Sequence, residues 1–361
     1  MDGLSQLRIP VCPIPVPDFV LSLSASRVRA ALWIAAGAGL LAAVLLVLRE
    51  GLPDILRLLD MAGWRLLWLV PAHVVPLACF AAAWLVLLRR QSPGIVYLTW
   101  GAIVREAVAG LLPVARVGGE VVGVRLLVRR GVPASTASAS VIVELTLTMV
   151  AQVTFATIGL ILLAGYPTVG PAVRVVAIGL VISVIAIPLF VLVVKRWGRS
   201  AFALMQRVIG ALGGGEQVGG DPARFHEVLH SMYADRFAVV ACGVWQLVGF
   251  LVGAFETWLA LRLIGQPGDV RMAIVLESLA TAVQSATFMV PGGLGTQEGG
   301  FVLFGAAVGL TPQVSLALSL ARRMRQVVLG LPALLSWYWT ERNSDRPSRI
   351  PYSGPTGADE Y

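Results

Sequence analysis

Residues 111–131 read LLPVARVGGEVVGVRLLVRRG, and residues 288–310 read FMVPGGLGTQEGGFVLFGAAVGL. Each stretch interrupts an apolar run with a proline, paired glycines and a glutamate. Pro113 and Pro291, Glu120 and Glu298, and Gly131 and Gly309 are each 178 positions apart, so P-x6-E-x10-G occurs twice. The same offset aligns 66–88 with 244–266, 95–112 with 273–290, and Glu144 with Arg322. Both copies then read helix, break, short helix, long helix. Breaks at Pro113, and at Pro291, Gly292, Gly293 and Gly295, leave backbone N–H and C=O groups without helical partners. In a bilayer such groups are tolerated only when buried in protein or lining a wet cavity. A plainer reading has these residues merely ending helices at the lipid–water boundary; the charge carried within the breaks weighs against it.

A bilayer is the setting that the composition demands. Of 361 residues, 57% are hydrophobic and 13% charged, whereas a soluble domain carries about a quarter charged residues. Mean hydropathy is +0.81. This excludes an ordinary soluble enzyme and a disordered chain. Cys12, Cys79 and Cys242 lie too far apart in sequence to frame a disulfide scaffold or a zinc cluster. The net charge of +8 comes mostly from arginine; in a membrane protein that excess sets orientation rather than binding nucleic acid. No P-loop and no G-x-S-x-G elbow occur, so neither ATP-driven pumping nor a serine hydrolase is expected.

About 20 apolar helical residues cross a bilayer. Spans are expected at Ala30–Leu48, Leu66–Leu88, Ala134–Ala164, Val173–Val194 and Phe237–Ile264, with Gly51–Trp64 as an interfacial helix. Ile95–Leu112 and Met272–Val290 lead into the breaks, and the last apolar run, Phe301–Trp339, contains Pro312. Basic clusters at 27–29, 89–90, 125–130, 195–207 and 342–349 should face the cytoplasm. That is possible only if the hairpins 95–130 and 273–309 return to the side they entered, which inverts one copy relative to the other. The expected fold is thus all-α, a polytopic membrane protein with an inverted repeat of broken, re-entrant helices. Its parts are a cytoplasmic tail (1–29), a transmembrane domain (30–340) and a second cytoplasmic tail (341–361). Within the domain, repeat one spans about 66–165, a cytoplasmic connector 195–235, and repeat two about 244–340. Inverted repeats with broken helices are a recurring transporter design.

An ionisable group near the bilayer centre costs roughly 2.5–3.5 kcal/mol on insertion scales, so it needs a partner or a job. Glu144 lies deep in one span; Arg322, Arg323 and Arg325 lie deep in the last. A pairing of Glu144 with Arg322 or Arg323 is the expectation. Arg105, Glu106, Glu256 and Glu277 are further candidates, for each of which a structural ion pair is the alternative. Arg116 offers a bidentate donor for a phosphate or carboxylate. Gly118 and Gly119 would let a headgroup approach the start of the short helix, and Glu120 either caps that helix or meets the cargo. In the second copy Gln297 and Glu298 are the polar counterparts, and Leu294 replaces the arginine.

His226-Glu227-Val228-Leu229-His230 matches the H-E-x-x-H zinc-protease pattern. No third ligand follows in a recognisable motif, and Phe225, Val228, Leu229, Met232 and Tyr233 suit an amphipathic interfacial helix instead. No catalytic residue, metal or cofactor is expected.

With LLPVARVGGEVVGVRLLVRRG, ASVIVELTLTMVAQ and FMVPGGLGTQEGGFVLFGAAVGL, the chain resembles the membrane portion of lysylphosphatidylglycerol synthases, the UPF0104-like family. Within that family it is most similar to the hopanoid-biosynthesis-associated, HpnL-like proteins. The resemblance covers most of 30–340. It implies a bacterial inner-membrane location with lipid translocation as the activity. It also implies a membrane lipid as partner, a hopanoid or an anionic phospholipid, together with hopanoid-biosynthesis proteins. The chain ends soon after its last span, so the synthase domain and its aminoacyl-tRNA-dependent chemistry are not expected. A non-transporting scaffold for hopanoid enzymes is the alternative, and behind it an integral-membrane zinc protease using the HEVLH segment at 226–230.

Overall fold

The computed structural model describes residues 52–112, 115–166, 222–286 and 295–344, with isolated helical positions at Leu41, Ile178, Val181, Ile185, Pro188 and Leu192. The expected N-terminal tail, most of the first span, most of the 173–194 span, most of the connector, the end of the C-terminal tail, and Pro113, Pro291, Gly292 and Gly293 lie outside the described residues. Among the described residues every regular element is helical. In order they are α1 (Leu52–Ala62), a 3-10 segment (Gly63–Trp68), α2 (Leu69–Leu88), α3 (Ile95–Leu111), α4 (Ala115–Arg129), α5 (Ala134–Leu163), α6 (Pro222–Ala234), α7 (Arg236–Leu263), α8 (Val270–Ala286), α9 (Thr296–Ala307) and α10 (Pro312–Ser344). Leu56–Leu88, Ala134–Leu163 and Arg236–Leu263 are long and apolar enough to cross a membrane.

Local chemistry sets the breaks. Leu112 is extended (φ −101°, ψ 145°), as a residue ahead of proline must be, because the Pro113 ring clashes with a helical conformation at the preceding position. Gly131 and Gly309 both stand at positive φ, +83° and +88°, and both close a short helix in the same way. Val132 N–H reaches the Leu127 carbonyl (3.2 Å), and Leu310 N–H reaches that of Gly305 (2.8 Å), which is the six-to-one bond of a Schellman end. Those four residues are themselves related by the offset of 178. Pro312 therefore opens α10 rather than sitting inside one long apolar run, as proline suits the first turn of a helix.

Helix pairing reveals the symmetry. In α2 and α7, Phe80 packs on Phe250 (ring centroids 5.4 Å apart) while His73 meets Glu256. Numbers rise along one helix as they fall along the other, so these equivalent helices run antiparallel. Trp100 Nε1 donates to Ser336 Oγ (2.9 Å) and Gly330 packs on Ala107, joining α3 to α10 antiparallel. The same pairing with the copies exchanged joins α8 to α5, where Ser278 packs on Gly159 and Gln152 Nε2 donates to the Thr281 carbonyl (3.0 Å). The two copies are thus inverted, each lending its long helix to the hairpin of the other.

Both hairpins fold back. The Tyr97 hydroxyl donates to the Leu126 carbonyl (3.0 Å), and Gly119 lies against the Arg105 backbone, so α4 returns along α3. Gly300 lies against Ala280, and Gln284 donates to Gln297 (3.4 Å), so α9 returns along α8. Arg89, Arg125, Arg129, Arg130 and Arg342 consequently gather at one end of the bundle; Arg57, Arg65, Arg262 and Arg271 stand at the other beside Asp60 and Asp269. At the arginine-rich end Arg125 grips Glu341 with two bonds (3.0 and 2.8 Å) and ties α4 to α10. Helix α6 packs there on α5 through Phe225 and Leu229, and the Tyr233 hydroxyl donates to Thr146 Oγ1 (3.0 Å).

Candidate functional site: a charged cavity between the repeats

Lipid tails are as apolar as leucine, so helices in a bilayer associate through close packing and polar contacts. Here the polar contacts converge on one cavity of about 330 Å³, walled by α2–α5 and α7–α10. Pro76 of α2 lines it, where the ring also removes one backbone hydrogen bond of the helix. Phe80, Trp84, Phe250 and Phe301 supply apolar walls. Among the described lining residues are five glutamates (Glu106, Glu120, Glu144, Glu256, Glu277), three arginines (Arg105, Arg322, Arg325) and His73.

Three groups of ion pairs organise these charges. Arg105 of α3 donates to Glu144 of α5 (2.9 Å) and also pairs with Glu120 of α4. Its guanidinium stacks over the Trp84 ring, 4.6 Å from the centroid. Arg322 of α10 takes both oxygens of Glu277 of α8 (2.7 and 2.8 Å), and Thr257 donates to the same carboxylate (2.5 Å). Arg325 of α10 donates to Glu256 of α7 (2.8 and 2.6 Å), which His73 also contacts, while the other imidazole nitrogen meets Glu106.

The sequence expectation of a Glu144–Arg322 or Glu144–Arg323 pair is corrected. Glu144 pairs with Arg105, Arg322 with Glu277, and Arg323 with Glu298 (3.1 Å). Glu144, Arg322 and Arg323 each find a partner on the broken hairpin of their own repeat, although each long helix packs mainly on the hairpin of the other copy; Arg325 instead reaches Glu256 of α7. The arrangement is charge-reversed between copies: glutamate on the long helix and arginine on the hairpin in the first, the opposite in the second.

The remaining candidates divide. Arg116 falls in the first turn of α4, and its side chain lies outside the described residues. Gly118 and Gly119 are buried within α4. A Cβ on Gly119 would lie 2.6 Å from the Arg105 carbonyl oxygen, so this glycine lets α4 press against α3, and it borders the cavity as well. Glu298 accepts from the Gly295 N–H (2.8 Å) and so caps α9. Gln297 donates to Ser319 Oγ (3.1 Å) and lines the cavity. His73, Gln152, Gln246 and Gln326 line the cavity and were not among the sequence candidates. His73 had a legible signal, being the only basic or acidic side chain in the 66–88 run. His226, Glu227 and His230 lie on α6, and among the described residues no three His, Cys, Asp or Glu side chains could hold a metal ion.

Inverted, broken-helix repeats around a charged cavity define a polytopic all-α membrane protein. Residues 30–333 match the family described as the lysylphosphatidylglycerol synthase TM region, and the chain belongs to that family. The family points to a membrane lipid-related function. No curated protein matches the chain.

Proposed function

We propose that this protein is a lipid translocase: it passes a polar headgroup through the cavity between its repeats while the tails stay in the bilayer. The observation that supports this most is the concentration of charge there, where each ionisable group is costly without a task. A single structural ion pair would account for two charges; nine ionisable side chains around one void call for more. The carboxylates outnumber the guanidinium groups, which favours a headgroup carrying a positive charge over a purely anionic one. Arg116, Gly118–Glu120 and the Gln297–Glu298 turn are proposed as the approaches from the two sides.

The arginine-rich end is proposed to face the cytoplasm of a bacterial inner membrane, with both termini there. A hopanoid-linked role rests on the sequence resemblance, and hopanoid-biosynthesis proteins are the partners it implies. The reading assigns the chain no catalytic step. A scaffold that moves no lipid is the second reading, and it is favoured if the ion pairs only hold the bundle together.

Reconstitution into liposomes that carry a fluorescent phospholipid in both leaflets separates the two. Translocation exposes the inner-leaflet probe to an external quencher; protection equal to that of protein-free liposomes, for zwitterionic, anionic and cationic headgroups alike, would sink the translocase.

A further inference from the structure

His73 sits where the two repeats meet. Its Nε2 lies 2.8 Å from Glu106 Oε2 on α3, and its Nδ1 lies 2.6 Å from Glu256 Oε2 on α7. The same Nδ1 also touches a terminal nitrogen of Arg325 on α10. An imidazole nitrogen can donate or accept, but not both at once. As a neutral ring, His73 donates to Glu106 and accepts from Arg325. As an imidazolium it donates to Glu106 and Glu256 and repels Arg325. Each protonation state therefore has a complete set of partners, and the two sets differ in which helix of the second repeat is held.

Charge counting favours occupancy by one proton. Two carboxylates and one guanidinium leave the group at −1, and one proton brings it to zero. Net charge is expensive at this depth. Arg325 keeps its bonds to Glu256 and an ion pair with Glu106 (3.7 Å), while its buried Nε has no hydrogen-bond partner. The other charges near His73 are committed elsewhere. Arg322 of α10 is bound by Glu277 of α8, and Arg105 of α3 is bound by Glu120 of α4 and Glu144 of α5. Arg65, on the segment before α2, is exposed at the bundle end.

We propose that His73, Glu106, Glu256 and Arg325 form a proton-binding site that links the two repeats, so that a proton taken up or released here shifts α10 and drives the cycle of the adjoining cavity. This rests on the translocase reading for its purpose, but its test does not. Nitroxide labels at Val96→Cys on α3 and Trp339→Cys on α10, in a chain whose Cys12, Cys79 and Cys242 are replaced by alanine, occupy exposed positions. The full chain, in nanodiscs of zwitterionic and anionic phospholipid, is examined by pulsed electron resonance from about pH 5 to pH 9.

The label separation should shift with pH in the wild type and lose that shift in His73→Gln. An unchanged distance in the wild type overturns the proton site, as does a shift that survives in His73→Gln. In liposomes with an imposed pH gradient, labelled-lipid transfer should speed up relative to no gradient. Transfer indifferent to the gradient overturns the coupling. A pH-dependent distance with no lipid transfer at all keeps the proton site and removes the translocase reading.

Discussion

At the scale of residues, the molecule is governed by the cost of charge in an apolar medium. Removing one partner of a buried pair leaves the other uncompensated, at about 3–5 kcal/mol, whereas removing both is far milder. Arg322→Gln and Glu277→Gln should each lower the unfolding midpoint in detergent markedly. The double variant should fall well short of the sum of the singles, and additive losses would show that the pair is not coupled. Exchanging the charges, with Glu277→Arg and Arg322→Glu together, should recover part of the loss, because the first repeat already carries the reversed order at Glu144 and Arg105. The deep charges were legible as a set, since ionisable residues stand out in apolar runs. Their pairing was not. The offset that relates Glu144 to Arg322 makes them symmetry mates, and mates touch only close to the two-fold axis. There α2 and α7 cross; positions 144 and 322 each meet their own hairpin.

At the scale of elements, glycines decide how closely helices approach. Gly119→Ala should destabilise the fold by about 1–3 kcal/mol, because the obstacle is the Arg105 backbone, which cannot yield as a side chain would. Gly299, inside α9, has open space where a Cβ would stand. Gly299→Ala should therefore be neutral or stabilising by up to about 1 kcal/mol, through helix propensity and a restricted unfolded state. Unfolding of both variants in one detergent checks the contrast, and equal effects would contradict the packing described. Helices and their ends were readable from apolar run length and from Pro and Gly. The glycine pair at 118–119 was less so, because a glycine that admits a ligand and one that admits a neighbouring helix look alike in sequence. Only the Arg105 carbonyl against Gly119 separates those uses.

At the scale of the whole molecule, inversion follows from two independent facts. Equivalent helices α2 and α7 run antiparallel, and the hairpins α3–α4 and α8–α9 each return to the end they left. The arithmetic of 178 residues predicts the repeat, and the placement of arginines predicts its inversion. What sequence left open was the exchange of long helices between copies. That exchange depends on which faces of α5 and α10 have small residues opposite their neighbours, and it joins the repeats across the cavity rather than beside it. A mechanism in which the repeats rock must therefore break or slide the α3–α10 and α5–α8 contacts.

The central claim, two oppositely directed copies enclosing a cavity in the bilayer, is tested most directly by single cysteines at the mouths of the hairpins, in a chain whose Cys12, Cys79 and Cys242 are replaced by alanine. Gln91→Cys and Arg130→Cys flank α3–α4, and Val270→Cys and Thr311→Cys flank α8–α9, all at exposed positions. Labelled with a membrane-impermeant maleimide in sealed vesicles of known sidedness, the first two should react from one face and the second two from the opposite face. Reaction of all four from the same face, or of Gln91→Cys and Arg130→Cys from different faces, would contradict the account.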